Sequence, residues 1–414
     1  MQDSPAPGRS DMMKDWSAHF AGRAQHMAAS EIRELLKLLD QPDILSFAGG
    51  IPDPTLFPRD VLAAAFQRIL GDPKRAGVAL QYAVSEGYAP LREWLAGYMG
   101  RLGVACSPDN IVITNGSQQG LDFLGKLFIA PGDTVLTAWP TYLGALQAFN
   151  CYEPRYDVLP GAGNNRTVES YRTTGAPAPK LAYVMPEFQN PTGTTLDLAA
   201  RAALLDAAEA LDLLLIEDCA YEKLRYDGER AASLLQLSIE RAGDIDAARV
   251  VYCGTFSKTI VPALRIGWVV APRPIIRKLV LVKQASDLHT ATLNQIVMHE
   301  VAAEVIEPHA RHIRDVYRTR RDAMLRALAA HMPDGVQWTR PEGGMFVWLT
   351  LPPAMDGARL LERAVREQLV AFVPGEAFFP DRAQRNHLRL SFSLATPAMI
   401  DEGMARLGAV IRAG

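Results

Sequence analysis

The sequence is short of cysteine. Four thiols, Cys106, Cys151, Cys219 and Cys253, are scattered over 414 residues without paired spacing, which excludes a zinc ribbon or disulfide framework and predicts free, mostly buried thiols. A long apolar run is missing too. No stretch approaches the roughly 18 apolar residues of a membrane-spanning helix, and residues 1–16 lack the apolar centre of a signal peptide, so a cytoplasmic protein is expected. Neither sign of charge dominates, with 43 Lys and Arg against 46 Asp and Glu. That balance provides no field for wrapping nucleic acid or an anionic membrane. Repeats, low-complexity tracts and Gly/Ser linkers are also absent. What remains, 49% hydrophobic and 21% charged residues, is the composition of a globular chain, and at roughly 150 residues per domain the length predicts two or three domains.

Between about residues 110 and 290, short apolar runs alternate with longer helical patterns, the signature of strand-helix-strand units on a parallel sheet. The strands are expected at 111–114, 134–138, 181–185, 213–217, 250–253 and 266–271, most of them buried on both faces. A helix with 3.6-residue periodicity is expected at 196–211. After residue 290 the pattern turns to a helix-rich stretch through Met332, alternating strands at 345–351 and 387–393, and a terminal helix. The fold class is therefore α/β, with a large sheet domain over 50–300 and a smaller α+β domain assembled from 1–49 and 301–414, the former contributing a helix at 30–39.

Three apparent motifs carry no chemistry. Gly120 to Lys126 imitates a phosphate-binding P-loop, but Leu127 replaces the required hydroxyl and the interior is helical. Gly161 and Gly163 lack the third glycine of a dinucleotide fingerprint and read as a turn. His309 and His312, near Glu304 and Glu307, have the spacing of a solvated helix face rather than a metal site, so no metal is expected.

The informative segment is Thr255-Phe256-Ser257-Lys258-Thr259, followed by Arg265-Ile266-Gly267-Trp268. A lysine after a buried strand, between hydroxyls and an arginine, suits a Schiff-base amine beside a phosphate; alone, it fits a solvated lysine equally well. Other segments bear on that choice. The strand at 213–217 delivers Asp218 to its C-terminal end, where open α/β sheets place ligands, and Tyr221 follows. An anion there can keep a pyridine nitrogen protonated, although an Asp after a strand also serves as a helix cap. The strand at 111–114 runs through Asn115 and Gly116 into Ser117, Gln118 and a helix whose freed N–H groups form an anion site. Asn190 and Tyr142 lie on loops at the same expected edge and offer an amide and a ring face. Arg389 sits in an alternating strand, where an inward arginine commonly binds a carboxylate.

Taken in order, these motifs resemble the pyridoxal-phosphate aminotransferases of fold type I, class I/II, and most of all the 2-aminoadipate and kynurenine aminotransferase branch, with its opening Ser46-Phe47-Ala48-Gly49-Gly50-Ile51-Pro52. The similarity runs from about Ser30 to the C-terminus. The resemblance implies Lys258 as the Schiff-base lysine and proton carrier, Asp218 at the pyridine nitrogen, Asn190 and Tyr221 at the phenolic oxygen, and Tyr142 stacked on the ring. Phosphate contacts would come from Ser117, Gln118, Thr255, Ser257 and Arg265, and from Tyr82 of a second subunit, since sites of this family lie at a homodimer interface. Arg389 would hold the substrate α-carboxylate, with Asn190 and Gly50 beside it, and Arg33 a distal carboxylate. Arg33 fits an exposed helical ion pair equally well. Two departures are visible: Thr255 stands where serine is usual, and Cys219 where the branch often has a second acid.

The implied activity is amino transfer from an L-amino acid, 2-aminoadipate-like, aromatic or branched, to a 2-oxo acid, with 2-oxoglutarate as the expected acceptor. Two alternatives accompany it: a β-lyase or other carbanion enzyme on the same fold, and the effector-binding half of a transcription regulator. The second needs a helix-turn-helix ahead of the domain, and fewer than 50 residues precede the glycine motif, without a basic recognition helix.

Overall fold

The computed structural model describes Trp16 and residues 19–27, 43–160, 166–173, 175 and 177–414. The expected helix at 30–39 and the Gly161/Gly163 turn lie outside the described residues. Among the described residues, thirteen strands are numbered in chain order: β1 (Leu45–Ser46), β2 (Ile111–Asn115), β3 (Thr134–Thr137), β4 (Arg155–Val158), β5 (Pro179–Val184), β6 (Leu214–Asp218), β7 (Val250–Thr255), β8 (Ile266–Val270), β9 (Gln337–Trp338), β10 (Phe346–Thr350), β11 (Val370–Ala371), β12 (Val373–Pro374) and β13 (His387–Ser391).

Seven of them form the central sheet in the order β2-β8-β7-β6-β5-β3-β4. Their side chains alternate between two cores. Val112, Tyr183, Ile216 and Val251 enter one, while Ile113, Ala182, Leu215 and Tyr252 enter the other. Both faces are covered, which is why these strands read as continuous apolar runs. All six expected strands are present. The sheet is mostly parallel, as expected, with β8 the exception: it runs antiparallel to both β2 and β7. Only residues 256–265 separate β7 from β8, fewer than the dozen or more that a parallel crossover requires. The short return loop between them carries Lys258. β4 was not expected: its residues are largely half-exposed, so it lacks the apolar signal of the others.

A second sheet, β12-β13-β10-β9, is antiparallel. It packs with helices Gly357–Gln368 and Pro397–Arg412 and the C-terminal half of the 40-residue helix Thr292–His331. β1 pairs with β11 in parallel, and the Ser391 N–H donates to the Phe47 carbonyl at 2.8 Å. These bonds lay residues 45–53 against the small sheet, and Gly50 next to Lys258.

Candidate active site

Strands β2, β5, β6 and β7 point the same way, so their C-terminal ends deliver Asn115, the 187–193 loop, Asp218 and the 255–258 loop to one edge of the sheet. Asp218 is 1% exposed. Its Oδ2 accepts from the Tyr183 hydroxyl at 2.8 Å, whereas its buried Oδ1 has no hydrogen-bond partner. Burial raises the Asp218 carboxyl to about pH 6, and the bond from Tyr183 opposes that rise. The Lys258 Nζ donates to the Gly50 carbonyl at 3.3 Å and lies 5.8 Å from the Tyr221 ring centre. Burial lowers this amine to about 8, with help from the cations Arg265 and Arg389. Tyr221 is buried, its ring edge-on to Phe346, and burial pushes its hydroxyl far above the usual phenol range. It therefore stays a donor at neutral pH.

Below this cluster, hydroxyls, amides and a guanidinium converge. Gly116, with φ +76°, opens the helix Ser117–Phe128; only a residue without a Cβ fits, since one would lie 2.3 Å from Arg265 Nη2. Arg265 reaches Ser257 Oγ at 3.4 Å and the Asn115 carbonyl at 3.3 Å. Thr255 Oγ1 donates to Ser257 Oγ at 2.9 Å and accepts from the Ser257 N–H at 3.1 Å. Gln118 Nε2 donates to the Gly144 carbonyl at 2.6 Å, and its Oε1 accepts from the Tyr142 hydroxyl at 3.5 Å. Gly144 allows that ring to lie across the start of its helix, where a Cβ would sit 2.4 Å from Tyr142 Cζ.

Above the lysine, Arg389 is 1% exposed. It donates to Asn190 Oδ1 at 2.9 Å and to the Ala48 carbonyl at 2.8 Å, with Phe346 and Phe378 4.3 and 5.2 Å from its guanidinium. Its Nε is buried without a partner, and no carboxylate among the described residues pairs with it or with Arg265. Burial lowers Arg389 to about 10, so it stays charged at neutral pH. An uncompensated buried cation is costly, and a ligand carboxylate would offset that cost.

The fold thus brings together Lys258, Asp218, Tyr221, Asn190, Arg389 and Gly50, and beside them Ser117, Gln118, Tyr142, Thr255, Ser257 and Arg265. Tyr82 is not brought in. It is 77% exposed, and its ring meets His289 edge-on. Arg33 lies outside the described residues. Sequence reasoning missed Tyr183, although a tyrosine inside a buried strand signals a hydroxyl in need of a partner. It also missed Glu187, which Arg201 holds at 2.5 Å and Arg225 clasps from the other side, beneath the loop bearing Asn190.

These features fit pyridoxal phosphate. Asp218 Oδ1 is an orphaned anion suited to a ring N–H, and the Gly116 turn with Arg265 and three hydroxyls suits a phosphate. Such a fold and site define a fold type I pyridoxal-phosphate enzyme. The chain belongs to aminotransferase class I and II, whose family model matches residues 50–407. It is 42% identical over 407 residues to an aromatic-amino-acid aminotransferase of Thermococcus litoralis, covering 96% of this chain and 95% of that one. Its fold matches, with a TM-score of 0.86 and 41% identity over 97% of this chain and 99% of the other, the α-aminoadipate aminotransferase of Thermus thermophilus crystallised with N-(5'-phosphopyridoxyl)-L-leucine. A kynurenine aminotransferase of Pyrococcus horikoshii matches with a TM-score of 0.88 and 42% identity over 96% and 98% of the two chains. The protein is accordingly a pyridoxal-phosphate-dependent aminotransferase. Among the described residues no helix is long and apolar enough to cross a membrane.

Proposed function

We propose that this aminotransferase moves the amino group of 2-aminoadipate-like, aromatic or branched L-amino acids to 2-oxoglutarate, with Lys258 as the proton carrier. The observation that carries the substrate class is Arg389, a buried guanidinium without a carboxylate, next to Asn190 and on the Lys258 side of the site. It binds the α-carboxylate that donor and acceptor share. Bound pyridoxal phosphate supplies an aldehyde that takes up the amino group and a protonated ring that accepts the electron pair left when the α-proton departs. Asp218 Oδ1 would keep the proton on the cofactor's ring nitrogen. Asn190 and the Tyr221 hydroxyl would hold its ring oxygen, Tyr142 would cover its ring, and Ser117, Gln118, Thr255, Ser257 and Arg265 would bind its phosphate. Lys258 would hold the cofactor through its amine and, with substrate bound, that amine would serve as the base that takes and returns the proton at the substrate Cα. With a 2-oxo acid as the acceptor, the same residues would act in the reverse direction. Gly50 closes the wall over Lys258.

The remaining readings rest on the same proposal. Residues 50–300 form the cofactor domain, and 1–49 with 301–414 the small one. The protein acts in the cytoplasm as a homodimer, Tyr82 of the partner subunit completing the phosphate site. Arg33 binds a distal carboxylate. The deciding experiment is a panel of amino donors against 2-oxoglutarate, with products analysed with and without the 2-oxo acid. Transfer that depends on the acceptor supports the proposal; release of a β-substituent without one would replace it with β-elimination. Arg33→Ala is expected to impair glutamate and 2-aminoadipate more than leucine, and equal losses would remove Arg33 from side-chain recognition.

A further inference from the structure

Next to Asn115 and the phosphate turn lies a lysine that none of this chemistry uses. Lys283, near the end of helix Arg273–Gln284, is 0% exposed. Its ammonium donates to Asp287 Oδ1 at 3.1 Å and Oδ2 at 3.0 Å, and to Gln119 Oε1 at 2.9 Å. Asp287 Oδ2 also accepts from Gln119 Nε2 at 2.9 Å and from Asn115 Nδ2 at 2.5 Å. Gln119 Oε1 accepts from the Asn115 backbone N–H at 2.9 Å. The four side chains form a closed network in which every donor of the ammonium is used.

The network grips one residue from two sides. Both the backbone N–H and the side-chain amide of Asn115 are fixed, and Asn115 immediately precedes Gly116. On the opposite face, the Asn115 carbonyl accepts from Arg265 Nη2. Asn115 is therefore the link between the Lys283–Asp287 ion pair, whose ammonium is buried and whose carboxylate is part-exposed, and the guanidinium and amides of the phosphate turn. Gly267 of β8 braces the turn laterally, so tightly that a Cβ there would lie 2.5 Å from the Gly116 carbonyl carbon. Burying the ammonium costs desolvation that offsets much of the attraction of such a pair; its value lies in fixing geometry.

We propose that Lys283 is a positioning residue for the cofactor phosphate: paired with Asp287, it locks Asn115 and Gln119 so that the Gly116–Gln118 turn and Arg265 aim at one point. This inference rests on the reading of Ser117, Gln118 and Arg265 as phosphate contacts.

The test compares apoproteins of the parent, Lys283→Met and Asp287→Asn for binding of pyridoxal phosphate and of pyridoxal, which lacks the phosphate, with the 31P resonance of the loaded holoenzyme as a second readout. Affinity for pyridoxal phosphate is expected to fall roughly tenfold or more in both variants, the scale on which groups supporting a ligand-binding residue act. Pyridoxal affinity is expected to hold, and the 31P resonance to move. Equal losses for both ligands, or an unmoved resonance with unchanged affinity, would overturn the proposal. Should Lys283→Met fail to fold, Asp287→Asn, which keeps the shape of the side chain, decides alone. Arg265→Ala separates the two levels of inference. If it abolishes the preference for the phosphorylated ligand while the Lys283 and Asp287 variants do not, only the positioning role fails; if it leaves the preference intact, the phosphate assignment fails with it.

Discussion

At the scale of single residues, the site runs on two displaced protonation equilibria. With Lys258 lowered to about 8, roughly a tenth of the amine is free at pH 7, against about one part in 3000 for an ordinary lysine. Capture of pyridoxal phosphate by the apoprotein should therefore accelerate about tenfold per pH unit below 8 and level off above it. Stopped-flow absorbance measures this directly, and a rate still climbing tenfold per unit at pH 10 would contradict it. Lys258→Ala should abolish turnover and the visible band of the bound cofactor, since proton transfer by a placed group alone is worth roughly 10²- to 10⁴-fold. Asp218 acts in the other direction. Its carboxyl is raised to about 6, so between about pH 4 and 6 the folded apoprotein holds a proton that the unfolded chain releases. Its contribution to apoprotein stability is full below about pH 4 and is lost as pH rises through 6. Under the proposed role of Asp218, a bound pyridinium would pair with the ionised carboxylate, so the rise in Tm on adding cofactor should be larger at pH 8 than at pH 5. Tyr183→Phe removes the donor to Oδ2 and raises the Asp218 carboxyl further. In calorimetric scans across pH, that variant should need a higher pH to show the same gain.

At the scale of elements, a loop is held by charge as well as by the buried Phe188 ring. Glu187 joins Arg201 and Arg225, all three buried or nearly so. Arg225 also covers the Phe188 ring at 4.7 Å, and Phe188 adopts φ +49° two residues before Asn190. Glu187→Gln leaves two guanidiniums facing a neutral amide and should cost about 3–5 kcal/mol, the usual penalty for breaking a buried pair. Because the same loop presents Asn190 to Arg389, the variant should also raise KM for the amino donor. Thermal unfolding and steady-state kinetics separate the two effects; a lower Tm with an unchanged KM would show that the loop keeps its shape without the clamp. This network marks the limit of what the sequence discloses. The central strands were legible because burial on both faces writes continuous apolar runs, and Lys258, Asp218 and Asn190 were legible because each follows such a run within a few residues. Glu187 and Lys283 were not. The charges that meet Glu187 arrive from 14 and 38 residues away, and although Lys283 has Asp287 four residues on, its tie to Gln119 spans 164 residues, so no local pattern encodes either network. The direction of β8 was hidden differently, in a loop length rather than in an apolar pattern.

At the scale of the whole molecule, the surface is uneven in a way that the balanced net charge conceals. Val78, Leu80, Tyr82 and Val84 are between 55% and 77% exposed, four large apolar or aromatic side chains within seven residues. A concentration of that kind marks an interaction surface, and under the proposed homodimer it meets a second copy of this chain. The geometry of exchange makes the idea testable. If Tyr82 serves the site of the other subunit, Tyr82→Phe homodimers should bind pyridoxal phosphate roughly 10-fold or more weakly, the loss expected for a hydrogen bond to a charged group. Now pair one Tyr82→Phe subunit with one Lys258→Ala subunit, purified as a hybrid through two tags. The intact Lys258 belongs to the Tyr82→Phe chain, while the tyrosine that reaches its phosphate belongs to the Lys258→Ala chain, so one complete site is restored. Titration of the hybrid by absorbance should recover parental affinity at that site. A hybrid as weak as the Tyr82→Phe homodimer would place Tyr82 in its own subunit's site, and a protein that sediments as a monomer at working concentration would remove the shared site altogether.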